Sequence, residues 1–263
     1  MSTFLRTGCV LQLDYLYHLL DIHAYLENGA EANCDPLKVL DIGTGASAIY
    51  AILLARITKE AQIWATELNA SSLETASKTL QENDLVPQVH LVRVPNGEAP
   101  LLDVISAIDL ESGDAPFTFS LCNPPFYASA EDMQASTELK AFPTHAAPTA
   151  ADNELITRGG EVAFIGRMID ESAKTREKCI WYTSLIGKAS SIPLLIGKLG
   201  EHQIDNYILL GMRQAHTTRW VLGWSLTDIR LPDDRLPICG QVPTASKHLD
   251  VPSTREGSET TLF

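Results

Sequence analysis

The chain has 263 residues, with 33 acidic against 20 basic side chains and a net charge of −13. Its hydrophobic fraction of 45% is ordinary for a globular protein, and its length allows one large core. No apolar run approaches the length that spans a bilayer, and the five cysteines form neither a Cys-x-x-Cys pair nor a Cys/His cluster. The composition therefore excludes a membrane-spanning segment, a disulfide framework and a metal site of the zinc type.

Residues 1–6 contain no signal-peptide core, and scattered cysteines suit a reducing compartment. We expect an intracellular protein, in the nucleus if the organism is eukaryotic and otherwise in the cytoplasm. The acidic balance opposes nucleic-acid binding unless basic side chains cluster, because phosphates are bound mainly by Lys and Arg. Solvated helix faces and strand ends are the alternative interpretation of such clusters. The two candidates are Arg158 with Arg167, Lys174, Arg176 and Lys178, and the pair Arg213 and Arg219.

Short apolar runs alternate with stretches of helical spacing along the chain, which predicts an α/β fold. Strands are predicted at 39–42, 63–67, 90–94, 117–123, 180–186, 207–210 and 220–225. Helices are predicted at 11–26, 49–57, 71–83, 160–174 and 192–201, the first with Leu13, Leu16, Tyr17, Leu20 and Ala24 on one face. Seven strands with interleaved helices favour a doubly wound, mostly parallel sheet that binds its ligand beyond the carboxyl ends of the strands.

The first predicted strand runs into a glycine turn, Gly43-Thr44-Gly45, and then into an apolar helix. This order opens many nucleotide-binding domains, because glycine allows positive φ and a close approach of ligand to backbone. The spacing Gly43-x-Gly45-x-x-Ala48 also fits the dinucleotide fingerprint, so it does not separate a nicotinamide cofactor from S-adenosylmethionine (SAM). Asp41 favours SAM, since a carboxylate there would repel a pyrophosphate but can accept hydrogen bonds from the ammonium or hydroxyl groups of SAM.

Glu67 ends the next predicted strand, about 26 residues after Asp41. An acidic residue at that place binds ribose hydroxyls in nucleotide-binding sheets of this kind. The alternative interpretation is an ordinary helix-capping carboxylate. If the first applies, the donor turn and the ribose acid lie at neighbouring strand ends.

The tetrapeptide Asn123-Pro124-Pro125-Phe126 closes a later predicted strand. An exocyclic or amide nitrogen is planar with a delocalised lone pair, so a site that methylates it must orient the amine. The side-chain oxygen of Asn123 and a prolyl carbonyl can both accept hydrogen bonds from one NH2 group, and two prolines make the turn stiff. Phe126 offers a flat face for stacking a base. The alternative is a Pro-Pro turn that only ends the strand.

These motifs and two further runs stand in one order: Asp41–Ser47, Ala65–Glu67, Cys122–Phe126, Trp181–Lys188 and Thr218–Ser225. In this arrangement the chain resembles the methyltransferase-like family that makes N6-methyladenosine in U6 small nuclear RNA. That family is similar to the bacterial 23S ribosomal RNA adenine N6-methyltransferase F. The resemblance covers residues 10–228 and implies a Rossmann-like, SAM-dependent methyltransferase domain there.

The motifs and the resemblance together imply the cofactor, the substrate and the site residues. SAM is expected as the methyl donor, and the substrate is a structured RNA, such as a U6-like hairpin, with an unpaired adenine. Methyl transfer to adenine N6 is expected to be direct. The cofactor residues are Asp41, Gly43, Gly45, Ser47, Glu67 and Asn123; the catalytic residues are Asn123, Pro124, Pro125 and Phe126; the RNA-binding residues are Phe126, Tyr127, Arg158 and Arg219.

Two stretches lose periodicity. Residues 127–158 are rich in Ala, Ser, Thr and Pro, and a long loop directly after a catalytic motif is expected to be an active-site loop. Residues 229–263 have a composition that predicts a flexible tail.

The chain departs from its relatives in two respects that bear on binding. Relatives have a basic, largely helical module before the core, and only about ten residues precede the first predicted helix here. Relatives also carry an arginine where this chain has Gln12, and that arginine is expected to bind the carboxylate of SAM. We therefore expect a protein partner that supplies basic surface.

Three alternative functions remain open at the level of sequence. A methyltransferase of protein glutamine side chains would use a similar Asn-Pro-Pro-aromatic turn. A non-catalytic RNA-binding scaffold would explain Gln12. A nicotinamide-dependent oxidoreductase would use the glycine turn and give no role to residues 123–126.

Overall fold

The computed structural model describes residues 10–29, 37–94, 116–125, 157–214 and 217–231, together with Ile105 and Ile108. The expected loop at 127–158, except for its last two residues, and the expected tail beyond 231 lie outside this part of the chain. The helices are α1 (Val10–Gly29), α2 (Ile49–Ile57), α3 (Ala70–Glu82), α4 (Gly160–Thr175) and α5 (Ser191–Glu201). The strands are β1 (Lys38–Ile42), β2 (Gln62–Glu67), β3 (Val89–Arg93), β4 (Phe117–Cys122), β5 (Cys179–Ile186), β6 (Tyr207–Gln214) and β7 (Thr217–Trp224).

These seven strands form one sheet in the order β3-β2-β1-β4-β5-β7-β6. The neighbours from β3 to β5 pair in parallel, and β7 runs antiparallel to both β5 and β6. The predicted doubly wound, mostly parallel sheet is therefore confirmed. The strand order reverses between β1 and β4, which is the place where sheets of this type bind ligands.

Both faces of the sheet are covered, which explains why its central strands are almost continuously apolar. One core layer contains residues of α1 and α2, and the other contains residues of α4 and α5. Trp181 and Tyr182 are consecutive on β5 and belong to opposite layers, as the two-residue period of a strand requires. Because both faces are filled, a ligand can reach the sheet only at its edges.

The buried face of α1 differs from the prediction. The buried side chains are those of Tyr15, Leu16, His18, Leu19 and Ile22. Leu16 alone is common to the predicted and observed sets, and Tyr17 is 46% exposed. The helix carries apolar residues on more than one side, so helical spacing did not identify the face that packs on the sheet.

None of the described helices is long and apolar enough to cross a membrane. Within the same residues, no group of three or more His, Cys, Asp and Glu side chains is arranged to hold a metal ion.

The corrected face of α1 can be tested by stability measurements. Leu19 is 2% exposed in the core layer beneath α1. We expect Leu19→Ala to lower the free energy of unfolding by about 2–5 kcal/mol, because it leaves a cavity. Tyr17→Ala is the control on the exposed face, with an expected loss within about 0.5 kcal/mol. Urea denaturation followed by circular dichroism measures both, and a larger loss for Tyr17→Ala would contradict the packing.

Candidate active site

The glycine turn after β1 is attached to the end of β2 through three consecutive backbone amides. Gly43 N donates to Thr66 Oγ1 at 3.3 Å, and Thr44 N donates to the Thr66 carbonyl at 2.8 Å. Gly45 N donates to Glu67 Oε2 at 3.0 Å. Gly43 and Gly45 adopt φ values of 71° and 68°, which only glycine adopts at little cost. These three amides are therefore committed within the protein and do not form an open cradle for a phosphate.

Glu67 connects the glycine turn with the start of α3. Its side chain is buried, and its Oε1 accepts a hydrogen bond from Asn69 N at 2.8 Å. Asn69, and not Glu67, caps α3, since its side chain accepts from Ser71 N and Ser72 N. Each carboxylate oxygen of Glu67 thus receives one backbone amide and keeps lone-pair capacity for a ligand hydroxyl.

Asp41 lies beneath the glycine turn and is 1% exposed. Its Oδ2 accepts a hydrogen bond from Thr44 Oγ1 at 2.7 Å. Burial raises the pKa of Asp41 to about 7, against the lowering effect of the Thr44 hydroxyl and with a smaller contribution from the nearby Glu67 carboxylate. Asp41 therefore changes its charge near neutral pH at the foot of the turn.

Asn123 lies beside the glycine turn at the end of the adjacent strand. Ile42 and Cys122 are the last paired residues of β1 and β4, so Gly43 and Asn123 are the next residues on the two strands. Asn123 is exposed, Pro124 is buried and Pro125 is half-buried. The other expected catalytic and stacking residues, Phe126 and Tyr127, lie outside the described residues.

Ser47, the remaining predicted cofactor residue, is exposed in the same turn. It is followed by Ala48, a buried residue whose φ of 46° is unusual for a side chain with Cβ. Backbone strain of this kind occurs more often at ligand sites than elsewhere.

Helix α4 divides the first predicted basic cluster. Arg158 is exposed just before α4, whereas Lys174 and Arg176 lie at the other end of this helix. The helix has 16 residues, which corresponds to about 24 Å. Since α4 runs antiparallel to the strands, Arg158 lies at the carboxyl edge of the sheet, whereas Lys174, Arg176 and Lys178 lie at the opposite edge and Arg167 lies midway along the helix.

Arg213 and Arg219 lie on the paired strands β6 and β7, where Arg213 is opposite Thr218 and Arg219 is opposite Met212, so the two side chains project from opposite faces of the sheet. Arg219 Nη1 donates to the carbonyls of Thr218 at 3.0 Å and Gly187 at 3.4 Å. Gly187 directly follows β5, so both arginines lie at the carboxyl edge, as Lys188 does. The fold thus gathers Arg158, Lys188, Arg213 and Arg219 at the edge that carries Asn123; we call these four residues the basic edge.

Glu161 is a site residue that the sequence motifs did not reveal. It is 2% exposed in the first turn of α4. Its carboxylate accepts hydrogen bonds from Gly187 N at 2.7 Å, Lys188 N at 3.0 Å and Ser191 Oγ at 2.5 Å. Glu161 therefore fixes the turn that carries Lys188. The available sequence signal was an acidic residue directly after a Gly-Gly pair, but its partners are about 26 residues or more away.

Similar proteins were found at the level of sequence. A family model described as RNA methyltransferase matches residues 2–228. The U6 small nuclear RNA (adenine-(43)-N(6))-methyltransferase of Schizosaccharomyces pombe is 36% identical over 191 residues, which cover 73% of this chain and 46% of that protein. The ribosomal RNA large subunit methyltransferase F of Pseudoalteromonas translucida is 32% identical over 223 residues, which cover 82% of this chain and 69% of that protein. The chain therefore spans about half the length of the first relative.

Solved structures agree with the sequence comparisons. The hMettl16 catalytic domain in complex with MAT2A 3'UTR hairpin 1 superposes with a TM-score of 0.67 at 28% identity, covering 83% of this chain and 70% of that chain. The N-terminal domain of human METTL16 in complex with SAH gives a TM-score of 0.63 at 25% identity, covering 83% of this chain and 71% of that chain. The resemblance seen in the motifs is thus confirmed, and the chain belongs to this family of RNA methyltransferases.

Proposed function

We propose that the chain is a SAM-dependent methyltransferase that transfers a methyl group to N6 of an adenine in structured RNA. The observation that carries the proposal is the position of exposed Asn123 directly beside a closed glycine turn, at the reversal point of the sheet. An amine-orienting amide and a donor site are needed at one place for this chemistry. The relatives named as adenine N6-methyltransferases support the choice of adenine.

The donor side of the site fits SAM better than a dinucleotide. A pyrophosphate requires free backbone amides, and the amides of residues 43–45 are bound to Thr66 and Glu67. Two carboxylates, Asp41 and Glu67, would repel a pyrophosphate further but suit a cationic donor with ribose hydroxyls. The structural relative with bound SAH supports the same cofactor.

Gln12, on α1, is a further residue that suits SAM as the donor. Its Oε1 is buried and has no hydrogen-bond partner among the described residues. Gln12 lies one helical turn before Tyr15 on α1, and the Tyr15 hydroxyl reaches Cys122, next to Asn123. An acceptor there suits the ammonium group of SAM, although an uncharged amide binds a carboxylate more weakly than an arginine does.

The chemistry requires orientation of the amine and no prior deprotonation. SAM supplies an electrophilic methyl group when bound. Asn123 Oδ1 and the Pro124 carbonyl would accept hydrogen bonds from the two N6 hydrogens, so that the nitrogen lone pair points at the methyl carbon. The N–C bond forms as the S–C bond breaks, and both acceptors stabilise the positive charge that develops on nitrogen. The surplus proton then leaves to solvent, to which Asn123 is exposed.

RNA would approach at the basic edge. The chain as a whole is acidic, with a net charge of −13. The carboxylates of Asp41, Glu67 and Glu161, which lie at the same edge, are each buried, whereas Arg158 and Arg213 are exposed. Phosphate contacts at this edge would place an unpaired adenine near Asn123, since a base must be unstacked before transfer. A hairpin similar to that of U6 small nuclear RNA is the proposed substrate.

Four cations are few for RNA binding, so we include a protein partner with basic surface in the proposal. The site of action would then be the nucleus in a eukaryote or the cytoplasm in a bacterium.

The second candidate function is a non-catalytic RNA-binding scaffold. It is favoured by one feature, the neutral Gln12 at the donor site.

The role of Asn123 can be tested by substitution. We expect Asn123→Ala to reduce methyl transfer to a U6-like hairpin RNA by about 10²-fold or more, because the amine loses its orienting acceptor. The Kd for SAM, measured by calorimetry, should change less than about threefold. Asn83→Ala is the matched control, since Asn83 ends α3 away from the site. Unchanged turnover in Asn123→Ala would exclude the assigned role.

The pKa of Asp41 predicts a pH dependence of donor binding. With its pKa raised to about 7, Asp41 is mostly protonated at pH 6 and mostly ionised at pH 8. A cationic donor prefers the ionised form, so we expect SAM affinity to rise by about tenfold from pH 6 to pH 8, with release of a proton on binding near pH 6. Calorimetry in buffers of different ionisation enthalpy measures both quantities. Asp41→Asn should remove the slope, and an equal slope in that variant would contradict the assignment.

A further inference from the structure

A chain of hydroxyl groups connects α1 with the end of β4. The Tyr15 hydroxyl lies 2.7 Å from Thr183 Oγ1, and Thr183 Oγ1 donates to the Ser120 carbonyl at 2.6 Å. Thr183 has one hydroxyl proton, and the carbonyl can only accept, so Tyr15 must donate to Thr183. Cys122 N in turn donates to the Tyr15 oxygen at 3.4 Å. The chain of donors therefore runs from the Cys122 amide through Tyr15 and Thr183 to Ser120.

These hydroxyl hydrogen bonds connect β4 with β5 where the backbone pairing of the two strands ends. The last paired residues of these strands are Ser120 and Tyr182, whereas β4 stays paired with β1 as far as Cys122. Beyond Ser120, Thr183 N donates to the Ser120 side chain at 3.3 Å. The Cys122 amide, one residue before Asn123, is thus held by a side chain from α1.

We propose that Tyr15 is a positioning residue of the methyl-transfer site. Its hydroxyl fixes the Cys122 peptide and thereby aims the Asn123 side chain. This inference rests on the proposed function. A displacement of about 1 Å at a reacting centre can reduce a rate by about 10²-fold. The position of the Cys122 peptide, which the Tyr15 hydroxyl holds, therefore affects the rate of methyl transfer.

The alternative role of Tyr15 is packing alone. The side chain is fully buried, and its ring contacts Tyr50 edge-to-face with centroids 5.7 Å apart. Phenylalanine would preserve this ring contact. It would remove only the hydroxyl, and it would leave the buried Cys122 amide without its acceptor. Burial also raises the pKa of Tyr15, so the hydroxyl remains a donor at all working pH values.

Tyr15→Phe and Tyr182→Phe form a matched pair for the test. Tyr182 is also fully buried, and its hydroxyl lies 2.9 Å from Thr175 Oγ1 and donates to the Arg176 carbonyl at 3.2 Å, at the opposite edge of the sheet. With hairpin RNA at saturating SAM, we expect Tyr15→Phe to lower kcat by about tenfold while the Kd for SAM stays within about threefold. Tyr182→Phe should leave kcat unchanged. Equal kcat values for the two variants would overturn the inference.

A double variant separates positioning from a general loss of structure. If Tyr15 acts through Asn123, adding Tyr15→Phe to Asn123→Ala should cause no further loss of kcat. A further tenfold loss in the double variant would contradict the inference. Should Tyr15→Phe fail to fold, Thr183→Val and Thr183→Ser give a second pair, in which Val removes the acceptor of the Tyr15 hydroxyl and Ser keeps it. We expect lower kcat for Val than for Ser, and equal kcat values would overturn the inference.

Failure of the proposed function gives a different result. A wild-type chain that binds SAM and hairpin RNA but transfers no methyl group would overturn the proposed function, and the inference with it. An active wild type with an unaffected Tyr15→Phe variant would overturn the inference alone.

Discussion

The hydrogen bonds between the glycine turn and the end of β2 determine the donor side of the site. Thr66 and Glu67 accept hydrogen bonds from the amides of residues 43–45, and Glu67 also accepts one from Asn69, the N-cap residue of α3. The turn can follow this path because Gly43 and Gly45 adopt positive φ. Because the amides of the turn are bound within the protein, a ligand meets the carboxylates of Asp41 and Glu67 instead. This explains why a cationic donor suits a fold that in other proteins binds dinucleotides.

A second constraint acts on the substrate side. A sheet buried on both faces leaves only its edges open to a ligand, and the direction of α4 decides which cations reach the edge with Asn123. The fold separates Arg158 from Lys174 and Arg176 and brings it to the edge that carries Arg213 and Arg219. Although the chain as a whole is acidic, it thereby has a basic edge where RNA would bind. Glu161 stabilises the turn that places Lys188 at the basic edge.

Much of this arrangement could be predicted from the sequence, and the failures have physical reasons. The seven strands were predictable because burial on both faces produces continuous apolar runs, and the positions of Asp41, Gly43, Glu67 and Asn123 at strand ends followed from the topology. The face of α1 was not predictable, because several sides of this helix are apolar and the choice depends on tertiary contacts such as the Tyr15 hydroxyl bond. The first basic cluster is divided because residues of one helix that are close in sequence can lie a full helix length apart. Contacts between distant segments, as at Glu161, leave no local pattern.

A calorimetric titration of the purified chain with SAM and with NAD is the direct test of a SAM site built on a closed glycine turn. We expect micromolar binding of SAM, no binding of NAD, and loss of SAM binding in Glu67→Ala, since that side chain holds the turn in place. Binding of NAD, or no binding of SAM at millimolar concentration, would contradict this assignment.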